Sequence, residues 1–171
     1  MTIDENLLVL LLALLLDRIA GDPQWLWSRV PHPVVVFGAA ISYADQQLNP
    51  SSLTGSQRRM NGVAAILALL LLSIAAGFVF DRFFALFGLA GLVLKAGLVA
   101  IFLAQKSLAD HVAAVATALR DHGLAGGRTA VSRIVGRDPE TLDEPAVCRA
   151  AIESLAENFS DGVVAPALCY A

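Results

Sequence analysis

Asn61 to Phe80 is a run of twenty residues without a charged side chain, closed by Arg58-Arg59 on one side and Asp81-Arg82 on the other. About 20 apolar residues in helical form cross the hydrocarbon core of a bilayer. A surface helix of a soluble domain would instead carry polar residues along its outer face. The run therefore predicts a transmembrane helix over 62–80. Phe83 to Ala104 is a second long apolar run, with Lys95 its one charge, and it predicts a span over 84–104. If the turn between the two lies at Asp81-Arg82, Lys95 falls mid-membrane at an insertion cost of roughly 2.5–3.5 kcal/mol. If the turn spreads over Phe87 to Gly91, the lysine can snorkel to the interface. A substrate-facing Lys95 is the third reading.

The N-terminus offers a further candidate. Leu7 to Leu16 is unbroken apolar sequence between Asp4-Glu5 and Asp17-Arg18. Extended to 3–20 it makes a span with Asp17 and Arg18 at the interface; the alternative is a buried amphipathic or re-entrant helix. Its acidic start argues against a signal peptide, which begins with basic residues. Gly21 to Pro50 holds four prolines and the pair Trp25 and Trp27, residues that commonly anchor at a membrane interface. His32, between Pro31 and Pro33, is held extended, and Val34 to Leu48 predicts a short helix. Arg18, Arg29, Arg58 and Arg59 lie before the long run, and Lys106, Arg120, Arg128, Arg133, Arg137 and Arg149 lie after Ala104. The positive-inside rule then places both polar regions on the cytoplasmic side.

Composition agrees with this class. The chain is 57% hydrophobic over 171 residues, above the usual half of a soluble domain. A net charge of −3 provides no basic surface for nucleic acid. Cys148 and Cys169 fall in no metal or redox spacing and suggest a reducing compartment. The expected fold is all-α: a polytopic integral membrane protein with two or three transmembrane helices and cytoplasmic helical segments. It reads as a single membrane-embedded domain, 1–171, with a cytoplasmic loop over 21–60 and a cytoplasmic helical region over 105–171. Gln105 to His122 predicts a helix ended by Gly123, followed by a flexible connection over Leu124 to Gly127. Lys106 and Asp110 are spaced for a surface ion pair; packing is the default reading for His111 and substrate contact the lesser one.

Polar side chains concentrate in Gly136 to Pro166, GRDPETLDEPAVCRAAIESLAENFSDGVVAP. Thr141 and Glu144 have the spacing of a capping box, and Pro145 suits a first helical turn. Ala146 to Asn158 predicts a helix that ends near Gly162. Arg149, Glu153 and Glu157 recur every four residues and share one face, the pattern of a solvated ion-paired surface. The acids, however, bunch with Asn158 and Asp161 where the helix stops, a pattern also compatible with a cation site or general acid–base chemistry.

IVGRD, LDE and RAAIESLAENFSDGVVAP resemble the signature of the adenosylcobinamide-phosphate synthase (CobD/CbiB) family of cobalamin biosynthesis, almost continuously from Ile134 to Pro166. Asp17, Gly21-Asp22-Pro23, Pro31-His32-Pro33-Val34 and Gly38 are similar to that family's N-terminal elements, and Lys106-Ser107-Leu108 with His111 to its middle helix. Family proteins continue into a second half with further polar motifs and membrane segments, so the resemblance covers an N-terminal part, either a fragment or a truncated product.

The resemblance implies ATP-dependent amide formation between adenosylcobyric acid and aminopropanol phosphate, with ATP and Mg²⁺ required. It implies a multi-pass protein of the cytoplasmic membrane with corrinoid and amino-alcohol phosphate substrates, no nucleic acid, and association with other membrane enzymes of cobalamin assembly. Under it, Glu153, Glu157, Asn158, Asp161 and His32 are catalytic candidates. Arg137, Asp138, Arg149, Asp22 and Lys106 are candidates for substrate and phosphate, and Glu157 and Asp161 for the metal. A Walker phosphate loop is missing, because Gly126-Gly127-Arg128-Thr129 lacks its spacing and lysine. The competing classes are a non-enzymatic membrane scaffold or sensor, an inactive truncated remnant, and a cation transporter.

Overall fold

The computed structural model describes residues 3–136 and 138–171, and every regular element among them is helical, as the sequence predicts. Arg137, a candidate phosphate ligand, lies outside the described residues. The chain forms two compact units, one of Met1–Asp22 with Leu92–Ala171, the other Pro23–Gly91. Two helical stretches are long and apolar enough to cross a membrane, Gly55–Ala85 and Gly88–Val131.

The first unit begins with α1 (Ile3–Ala20), which buries Val9, Ala13 and Asp17 along one stripe and packs on α6 (Gln105–Val131). Its C-terminus closes at Gly21, whose N–H donates to the Asp17 carbonyl at 2.8 Å with φ +60°, a conformation that favours glycine. The lysine stem of Lys106 crosses this glycine closely. A Cβ there would lie 2.7 Å from Lys106 Cδ.

The first backbone N–H of α6 is capped from another helix. Ala104 at the cap position supplies no side-chain bond; instead the buried Asp17 carboxylate accepts from Gln105 N at 2.8 Å, and Gln105 Nε2 donates to Leu14 O at 3.1 Å. Gly123, expected to end α6, does break it, with φ 62° and ψ −158°. The chain then resumes as helix over 124–131 rather than as the flexible connection expected, folding back on itself. Gly126 lies against the Ala118 carbonyl and Gly127 against Leu119, where any Cβ would collide. Those two glycines serve close packing.

The unit's core, Val115, Val131, Val147, Ala150 and Ala151, is formed by α6 and α7 (Glu144–Phe159). Each fully buried valine contributes about 1.5–3 kcal/mol. The cap of α7 differs from expectation. Asp143 Oδ1 accepts from Ala146 N at 2.8 Å, so Asp143 takes the position foreseen for Thr141. The chain does not stop at Gly162 either. It passes through one π-helical turn, Ser160–Val164, into α8 (Ala165–Tyr170). Pro166, which has no N–H to donate, follows directly on this widened turn, where Ala165 N donates to Ser160 O.

In the second unit, α2 (Gln24–Trp27), α3 (Pro33–Leu48) and α4 (Gly55–Ala85) follow in order. His32 is extended (φ −59°, ψ 139°), and its Nδ1 accepts from Val34 N at 3.2 Å as the α3 cap. Thr54 and Gln57 make a capping box at the start of α4. None of the most apolar 18-residue window of α4 is buried. The expected 84–104 span is divided: α4 runs on to Ala85, a turn lies at 86–87, and α5 (Gly88–Ala100) follows, with residues 101–104 non-helical. Gly91 admits the return of the chain, since a Cβ there would strike the Phe84 carbonyl. Lys95, in the first unit, does not stand alone. It is 8% exposed and pairs with Glu5 at 3.4 Å.

Replacing Asp17 with Ala strips the α6 cap and is expected to lower stability by about 1–2 kcal/mol. Gly123→Ala, forced to φ 62° and ψ −158° where essentially only glycine is at ease, is expected to lose about 1–3 kcal/mol. Thermal unfolding followed by circular dichroism in detergent checks both.

Candidate functional site

The helix α7 presents two unlike faces. Val147, Ala150, Ala151 and Ser154 are buried against α6, small residues that let the two helices approach. Arg149, Glu153 and Glu157 are exposed alongside this stripe. The Ala, Leu, Arg and Glu content between Pro145 and Asn158 favours helix throughout, so the charged stripe and the packed stripe are set by one periodicity.

At the C-terminal end of α7 a polar cleft of about 360 Å³ opens between it, α6 and the 133–135 turn. Ser107, His111, Arg133, Ser154 and Asn158 supply its polar lining. Ser154 is 7% exposed, and its Oγ donates to Ile134 O at 2.5 Å, which ties α7 to the turn that carries Arg133. Asn158 Nδ2 donates to Ser154 O at 2.7 Å and to Ser154 Oγ at 3.1 Å. With its nitrogen engaged there, Asn158 offers its amide oxygen as an acceptor. His111 Nδ1 lies 2.7 Å from the Ser107 carbonyl. A carbonyl only accepts, so Nδ1 carries the proton and the neutral ring keeps its lone pair on Nε2. The cleft therefore combines a guanidinium, a base and an amide acceptor.

A second convergence lies at the start of α6. The Gly162 carbonyl in the π turn accepts from Ala104 N at 3.1 Å, and a Cβ on Gly162 would stand 3.2 Å from that of Ala104. Asp161 is thus held beside the same helix end that Asp17 caps and that Gly21, with Asp22 next to it, packs against. Lys106 Nζ, from that end, pairs with Asp110 Oδ2 at 2.5 Å. The Gly21-Asp22 element and the Ser160-Asp161-Gly162 element, far apart in sequence, both reach the start of α6 in one unit, at Lys106 and Ala104.

Asp138 is exposed and accepts from Glu140 N at 3.0 Å, an Asx turn that shapes the approach to α7. His32 caps α3 in the second unit and meets the Trp27 ring edge to face at 4.4 Å. Glu157 and Asp161 are exposed and make no ion pair among the described residues. No group of three or more His, Cys, Asp or Glu side chains able to hold a metal occurs among those residues. Mg²⁺ commonly takes one or two carboxylates and completes its shell with water and substrate phosphate, so it does not require a larger cluster.

The sequence alone offers no role for Arg133 or Ser154 and places packing ahead of substrate contact for His111. The spacing Ser154 to Asn158 was a usable signal, since residues four apart on a helix share a face. Arg133 had none, because the turn between α6 and α7 decides where it points. The tautomer set by Ser107 predicts that ¹⁵N spectra of labelled chain will show neutral His111 protonated on Nδ1. Ser154→Ala is expected to cost about 1 kcal/mol in thermal unfolding.

A family profile described as "CobD/Cbib protein" matches residues 10–171. A protein of Sinorhizobium sp, "Cobalamin biosynthesis protein CobD", is 66% identical over 165 residues, 96% of this chain and 51% of its own length. The protein of that name from Brucella anthropi is 54% identical over 165 residues, 96% and 50% of the two lengths. One from Rhodobacter capsulatus is 41% identical over 158 residues, 92% and 49%. The chain spans about half the length of these curated relatives. No solved structure matches it.

Proposed function

The chain belongs to the CobD/CbiB family, and we propose that it serves cobalamin biosynthesis as part of an ATP-dependent synthase joining adenosylcobyric acid to aminopropanol phosphate. The observation that carries this reading is the likeness, over nearly the whole chain, to proteins named for that pathway. The polar cleft supports it chemically. An amino-alcohol phosphate bears an anion at one end and an ammonium at the other. Arg133 is suited to the phosphate, since a guanidinium matches its oxygens with paired donors. The Asn158 amide oxygen is suited to the ammonium, and His111 Nε2 to its proton.

The reaction needs an activated acyl donor because a carboxylate is a poor one. In this proposal the γ-phosphoryl group of ATP passes to a carboxylate oxygen of the corrinoid and ADP leaves. His111 takes one proton from the ammonium, the free amine nitrogen then forms the C–N bond as the acyl C–O bond breaks, and the phosphate departs with the amine's second proton. Glu157 and Asp161 would hold Mg²⁺, which when bound neutralises charge on the phosphates. Glu153 and Arg149 border that site on the same face of α7, with Lys106 and Asp22 at the neighbouring helix end. The assignment of catalytic work to Glu153, Glu157, Asn158 and Asp161 is part of this proposal. His32, as an α3 cap, enters it only as a residue that shapes its own unit.

We place the protein in the cytoplasmic membrane with its polar segments facing the cytoplasm, where ATP is available. The unburied apolar surface of α4 supports this, since such a surface exposed to water would aggregate. A strain deleted for this locus and lacking other B12 sources is expected to grow on cobinamide and not on cobyric acid. Glu157→Gln and Asp161→Asn introduced together at the locus are expected to lower cobinamide formation on the order of 10²-fold or more. Undiminished formation in that variant would sink the metal-site assignment, and growth of the deletion strain on cobyric acid would sink the reaction. Arg133→Gln is expected to raise KM for aminopropanol phosphate about tenfold with a smaller change in kcat.

A further inference from the structure

The second unit holds an apolar groove that the amide-forming reading does not use. It lies between α3 and α4, has a volume of about 680 Å³, and is walled by Phe37, Ile41, Ile66 and Leu70. Gly62 and Ala65 form part of its lining, and a Cβ on Gly62 would meet nothing within 4 Å. The groove is open at that point. From Arg58 to Ser73 it follows about 22 Å of α4.

Its chemistry is divided end to end. Arg58 and Arg59 lie at one end with Asp45 and Asn49, and the rest is almost wholly apolar. Asp45 Oδ1 already accepts from Asn49 Nδ2 at 2.9 Å. Arg58 Nε and Nη2 donate to Leu53 O at 3.2 Å and Ser51 O at 3.0 Å, which fixes its guanidinium at the mouth while the charge remains. Arg59 is exposed and makes no hydrogen bond or ion pair among the described residues. Two cations against one carboxylate leave the mouth positive, and that end is also where the apolar part of α4 begins.

We propose that this groove binds one anionic phospholipid, with its phosphate on Arg58 and Arg59 and an acyl chain along α3 and α4. A free phosphate would use the arginines and leave the apolar length uncovered. An apolar helix would cover the length and leave the positive mouth unmatched. An anionic lipid satisfies both ends, and each arginine near an anionic headgroup contributes about 1 kcal/mol. The proposal is independent of the reaction at the α6–α7 cleft and rests only on the membrane placement.

The test is native mass spectrometry of the chain in detergent with equimolar phosphatidylglycerol and phosphatidylcholine. Wild type is expected to retain one phosphatidylglycerol in clear preference to phosphatidylcholine. Arg59→Gln, which breaks no contact among the described residues, is expected to reduce that preference about fivefold. Gly62→Leu, which fills the groove, is expected to reduce retention of both lipids while the helical circular dichroism stays unchanged. Equal retention of the two lipids, wild-type behaviour of both variants, or a lipid-free dimer closed through this face would each overturn the proposal. Release of the chain from membranes by alkaline carbonate would overturn the membrane placement as well. A membrane-held chain without lipid preference would overturn the groove alone.

Discussion

The N-terminus of α6 is the junction on which the first unit depends. A helix begins with backbone N–H groups that have no intrahelical partner, and leaving one buried and unsatisfied costs about 1–3 kcal/mol. Here Asp17 reaches across from α1 to Gln105 N, and Ala104 N is taken by the Gly162 carbonyl from the π turn. The two ends of the described unit are therefore joined to its middle by bonds that neither a shorter side chain nor a displaced turn could make. Gly21 completes the corner, because only a residue without Cβ lets the Lys106 stem cross the backbone so closely.

That junction also explains the π turn. The widened turn directs the Gly162 carbonyl to Ala104 N and keeps the chain helical into α8 while holding Asp161 beside the start of α6. Such insertions are frequent at functional sites. On the other side of α7 the polar cleft has a similar logic. Ser154 commits its hydroxyl to the Ile134 carbonyl and thereby fixes both Asn158 and the turn that bears Arg133. One buried hydroxyl links packing to chemistry. Lys95 follows the same pattern within the first unit, since burial of its ammonium is offset by Glu5.

Much of this was readable from residues in sequence order. The apolar run, the glycine break at Gly123, the extended His32 and the helix with charges four apart are all local patterns, and all appear in the structure. The errors were local too, but had non-local causes. Thr141 had the spacing for a capping box, yet Arg128 Nε donates to the Leu142 carbonyl at 2.8 Å, and the chain held there brings Asp143 to the cap. Leu124 to Gly127 looked like a flexible link, yet Gly126 and Gly127 allow a helix to fold back against Ala118 and Leu119.

By itself the sequence determined the helical class, the presence of the long apolar helix that became α4, the spacing of Arg149, Glu153 and Glu157, and family membership, because these follow from periodicity, length and residue identity. Tertiary structure alone decided that Asp17 caps α6, that Glu5 meets Lys95, and that His111, Arg133 and Asn158 share a cleft. Those partners are separated by 88 and 90 positions in the first two cases. Their meeting depends on how helices pack and where turns point, which no window of neighbouring residues encodes.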